Sequence, residues 1–122
     1  MQLSIADQIW NRAAMESGGS NAREGDRALS DLLLAHGMVM NGGIGHALEV
    51  LSSDELAAAV RGYRFFGLDV VASLLEHSVN ATEQEVNQAD ARYGALIPSD
   101  QALVDHFEVL YGESPHAFAS ID

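Results

Sequence analysis

The chain has no cysteine, no lysine and only two prolines, and no apolar run nears the ~18 residues needed to span a bilayer. Without cysteine there can be no disulfide, thiolate metal site or cysteine nucleophile. Without lysine, all six basic side chains are arginines, and a P-loop lacks its phosphate-binding residue. The first ten residues carry neither a basic segment nor an uninterrupted apolar stretch, so no signal peptide is read. The expectation is a soluble cytoplasmic protein.

Positive charge is the scarcest resource. Eighteen acids oppose six arginines for a formal charge of −12, and the isoelectric point is near 4.5. The imbalance is uneven. Residues 1–64 hold eight acids and five arginines, whereas residues 65–122 hold ten acids and only Arg92. A surface of this kind repels nucleic acid and anionic lipid and attracts basic partners at long range. Net negative charge also serves solubility. With 122 residues and 48% hydrophobic content, the chain can bury a core as one domain, residues 1–122.

Apolar periodicity predicts an all-α, single-domain bundle of six to seven short amphipathic helices, with no strand. The first helix runs from Ile5 to Glu16 with Ser4 as cap, and Ser17 to Asn21 follows as the most linker-like segment. The second runs from Asp26 to about His36 along a Leu29, Leu32, Leu33 and His36 stripe. After an Asn41-Gly42-Gly43 turn, a short third helix carries Ile44, Ala47, Leu48 and Leu51. Ser52 with Glu55, and Thr82 with Glu85, form capping boxes that open the fourth and sixth helices. Gly67 closes the fourth. Asp69 to Val79 makes the fifth, with Val70, Val71, Leu74 and Leu75 inward. Pro98 stops the sixth, Ser99 is placed to cap a seventh, and Ser114-Pro115 fits a last short turn. Short loops imply antiparallel neighbours.

From Asn41 onward the chain resembles the DNA-mimic protein domain, a bacterial family of small acidic helical proteins. The likeness rests on Asn41-Gly42-Gly43 at a helix start, then on Ala57 to Val60 leading through Phe65-Phe66-Gly67 to the apolar helix Val70 to Leu75. Ala89 to Tyr93 and Phe107 to Tyr111 are similar to the family's C-terminal part. It covers about residues 26–118. Ile44, Ala47 and Leu48 stand where members commonly have aromatics. The resemblance implies a non-catalytic regulator, monomeric or a homodimer, that occupies the DNA-binding face of a basic transcription factor. It transfers no acidic residue, so these come from charge geometry alone.

A mimic needs carboxylates at phosphate-like spacing. Residues seven apart on a helix share a face at roughly 10 Å, as do Asp69 with Glu76 and Glu83 with Asp90. Asp105 with Glu108 lies closer, and Glu85 joins them as the candidate negative surface. Glu83 and Glu85 equally suit the positive end of a helix dipole, and a solvated helical face is the simpler reading of all seven. The five histidines form no metal-ligand pair of recognised spacing, and His36 reads as a hydrogen-bonded core residue, so no metal or cofactor is expected. Two further functions share the sequence. One is an immunity-type inhibitor of a basic toxin or nuclease. The other is a small ligand-binding or enzymatic domain using Asn41, Gly42 and Gly43 as an anion cradle, His46 as base and an arginine. No nucleophile elbow supports hydrolase chemistry.

Overall fold

Six α-helices form the fold in the computed structural model, which describes residues 3–121 and contains no strand among them. They are α1 (Ile5–Glu16), α2 (Glu24–Val50), α3 (Ser53–Phe65), α4 (Asp69–Ser78), α5 (Glu83–Leu96) and α6 (Asp100–Glu113), followed by a 3-10 turn over Pro115–Ala117. The caps explain several starts. Ser4 Oγ accepts from the Asp7 amide at 3.0 Å. Both capping boxes close reciprocally, Ser52 with Glu55 and Thr82 with Glu85, satisfying amides that a helix start otherwise leaves open. Ser99 stands at the start of α6, but its side chain makes no capping bond.

The longest element departs from the sequence expectation. α2 is two helical segments run together: the expected break between the second and third helices falls at Gly43 alone, the first segment extends beyond His36, and Asn41 and Gly42 are helical residues at its end rather than a turn. Only Gly43 leaves helical geometry, at φ 87° and ψ 175°. That region is essentially reserved for glycine, so the helix kinks there and resumes at Ile44. Both segments face the core across the kink, with Val39, Ile44 and Ala47 all buried.

α2 is the centre of the molecule, packing against α1, α3, α5 and the C-terminal turn. Its contact with α3 is close because Gly62 faces Ala28. A Cβ at Gly62 would lie 2.4 Å from the Ala28 carbonyl oxygen. Tyr63, Tyr93, Phe107, Ile9, Leu29 and Leu32 fill the core. Val70, expected inward, is substantially exposed, and so are Ile5 and Leu96. Ile97, one residue beyond the regular helix, is buried instead of Leu96. The Ser17 to Asn21 segment is no free linker, since Gly18 is buried against Ala22 and Asp26.

A buried carboxylate clasps the chain's end. Asp26 is fully buried. It accepts from Arg12 Nη2 at 2.9 Å, the Arg23 amide at 2.9 Å and the Ala119 amide at 2.7 Å. Arg12 also donates to the carbonyls of Ala119 and Ser120. Phe118 is thereby held against Phe66 and Phe107, and a buried charge is tolerated because it is paired and saturated with donors.

Candidate functional site

The carboxylates expected to form a negative surface all lie on α4, α5 and α6, but their surroundings divide them. Asp69, Glu83 and Glu108 are exposed and make no side-chain hydrogen bond or ion pair among the described residues. Asp105 is exposed and accepts from the Gln101 side chain at 2.8 Å. Glu76 is exposed and bound by Arg64, whose hydrogen bond holds the Glu76 carboxyl below its ordinary range. Glu85 is engaged in its own helix cap, and the Thr82 amide, with the Thr82 hydroxyl, lowers its pKa.

Asp90 has a different place altogether. It is half-buried, and its Oδ1 accepts from the Ile44 amide at 2.7 Å. The kink at Gly43 frees that amide, and a carboxylate from α5 caps the resumed helix across 46 residues of sequence. The space beside Gly43 is therefore taken. A Cβ there would meet the Asp90 carboxylate at 3.2 Å. In the ligand-binding alternative the Asn41–Gly43 segment would cradle an anion, and the carboxylate beside it here is the chain's own Asp90. His46 lies directly over Gly42. A groove of about 980 Å³ reaches Asn41 and Arg27, whereas Gly42, Gly43 and His46 stand outside its lining.

Sequence reasoning missed a second polar assembly. Tyr63 on α3, Tyr93 on α5, His36 on α2 and Asp100 on α6 form one hydrogen-bonded chain. The Tyr63 and Tyr93 hydroxyls are 2.6 Å apart, Tyr93 Oη is 2.8 Å from His36 Nδ1, and His36 Nε2 is 2.8 Å from Asp100 Oδ1. Every member can be satisfied along this chain: His36 Nε2–H donates to Asp100, and the two tyrosine hydroxyls and His36 Nδ1 pass one hydrogen bond along in either direction. Burial pushes the Tyr93 hydroxyl up to about 12 and raises Tyr63 well above the usual tyrosine range. Asp100 is mostly exposed and the other three are buried, so the chain runs from solvent to core and joins four helices. The tyrosines sit on apolar stripes in the sequence. The only signal for a network is that a buried tyrosine hydroxyl needs a partner.

Among the described residues no three histidine, aspartate or glutamate side chains converge as a metal-binding group. No helix among them is long and apolar enough to cross a membrane. No protein-family model matches the chain, and no curated protein or solved structure is significantly similar to it.

Proposed function

We propose that this protein is an acidic docking module that acts as a DNA mimic, using carboxylates of α4–α6 to occupy the DNA-binding face of a basic protein. One observation carries the reading. Of the seven candidate carboxylates on these helices, only Glu76 is paired with an arginine, and four more are exposed and uncommitted to any cap: Asp69, Glu83, Asp105 and Glu108. They project from helices packed on a shared core, of which α5 also opens with a capping box. A rigid array of this kind loses little conformational entropy when it meets a cationic surface. An immunity-type inhibitor of a basic toxin or nuclease would use the same electrostatics, and the identity of the partner separates the two.

The test is affinity capture from lysate of the source organism at low salt, run in parallel with D69N/E83Q/D105N/E108Q. This variant spares Asp90 and Glu85, whose loss would weaken helix starts, and Glu76, which is paired. The expected result is a DNA-binding protein retained by the parent, released by moderate salt, and lost from the quadruple variant. Retention of the same proteins by both, insensitive to salt, contradicts the proposal. A captured toxin or nuclease replaces it with the inhibitor reading.

A further inference from the structure

Between the end of α3 and the middle of α6 lies an apolar groove of about 480 Å³. Phe65, Phe66, Val109 and Leu110 supply its apolar lining, and Asp105 and Glu113 stand on its edge. Val109 is 63% exposed and shares the groove's lining with the half-buried Phe65. The cation on the rim, Arg64, is already engaged by Glu76. His106 Nδ1 lies 3.3 Å from the Phe66 carbonyl oxygen, which ties α6 to the turn after α3 and fixes the groove's width.

Asp105, Val109 and Glu113 recur at i, i+4 and i+8 along α6, so they form one stripe, acid–apolar–acid, spanning ~12 Å. We infer that this groove is the anchor point for the partner, and that it takes a basic amphipathic helix with a large apolar side chain flanked four residues on either side by lysine or arginine. The inference rests on the acidic-docking reading above and gives it a site. The apolar side chain seats between Phe65 and Val109, and the flanking cations meet Asp105 and Glu113. Charge selects this occupant over a second copy of the chain. A two-fold interface brings the same patch of each copy together, which here would oppose Asp105, Glu108 and Glu113 to the same carboxylates. A purely electrostatic surface lacks the desolvated apolar centre where interface energy concentrates, and this groove provides one.

Two synthetic helical peptides test the site, identical except at the centre. One has leucine flanked by lysines at −4 and +4, and the other has glutamine in place of the leucine. Binding is followed by fluorescence anisotropy and by backbone amide shifts. The leucine peptide should bind roughly tenfold tighter, as expected for burying one such side chain. Its shifts should cluster at residues 65–67 and 105–113. V109Q should erase the difference between the peptides while leaving the glutamine peptide's affinity unchanged, and circular dichroism reports that the variant is folded. Equal, salt-sensitive binding of both peptides overturns the groove and leaves the electrostatic reading standing. Binding of neither at low salt overturns both.

Discussion

At the scale of single residues, the buried hydroxyls and carboxylates are the most sensitive points of the molecule. Tyr93 stands in the middle of the Tyr63–Tyr93–His36–Asp100 chain, and Tyr63 stands at its end. Tyr93→Phe removes two partners at once, leaving the Tyr63 hydroxyl and His36 Nδ1 buried without a bond. It should destabilise by about 1–3 kcal/mol. Tyr63→Phe leaves Tyr93 bonded to His36 and should cost about 0.5–1.5 kcal/mol. Urea denaturation of both variants measures the order, and equal effects would contradict the chain as drawn. The Tyr93 hydroxyl, ordinarily near 10, is raised to about 12 in the folded state. The stability linked to it is whole below pH 10 and drains away as pH climbs towards 12. An absorbance titration should therefore show the two buried tyrosines, Tyr63 and Tyr93, ionising late and together with loss of the helical circular dichroism signal. Ionisation of all three tyrosines near pH 10 with helices intact would refute it. His36 could be read as a bonded core histidine because it continues a leucine stripe. Its partners lie 57 and 64 residues away, a pairing with no local signature. Asp26 was legible only as a helix-start acid. Its burial depends on the chain's end returning to meet it.

At the scale of elements, boundaries set by local chemistry were the readable ones. The bonds of Ser4, Ser52 with Glu55, and Thr82 with Glu85 close within three residues, so the sequence contains both halves of each. Gly67 likewise ends α3 at a positive φ. The break near Gly43 was readable, but its confinement to one residue was not, because the group that caps the resumed segment, Asp90, comes from another helix. Three closely spaced polar and glycine residues announce a turn unless something distant holds the helix together. This makes the kink testable. Gly43→Ala forces a side chain into a glycine-only conformation, about 1–3 kcal/mol, and presses it on the Asp90 carboxylate. Asp90→Ala removes the distant cap, about 1 kcal/mol by analogy with ordinary N-caps. Because the two residues share one site, their effects should fall short of additive in a double-mutant cycle. Strict additivity would mean that Asp90 does not hold the kink.

At the scale of the whole molecule, charge asymmetry is the property most directly written in the sequence. Ten acids and one arginine in residues 65–122 are carried by α4, α5, α6 and the chain's end. Folding consumes part of that charge. Asp90 is spent on a helix cap, Glu85 on a capping box and Glu76 on Arg64. The surface available to a partner is smaller than the composition suggests, and it borders the apolar groove at Asp105. That division was out of reach of the sequence, because a carboxylate's commitment depends on tertiary neighbours. Association through the remaining acids should be fast and weaken steeply with salt.

The central claim is that the protein takes the place of DNA, and one competition measurement addresses it directly. A fluorescent duplex is bound to the captured DNA-binding partner, and the acidic protein is titrated in while anisotropy reports the duplex. Mimicry predicts that the duplex is released in proportion to the protein added, and that D69N/E83Q/D105N/E108Q releases it far less well. A duplex that stays bound while the protein joins it in a ternary complex would contradict the account.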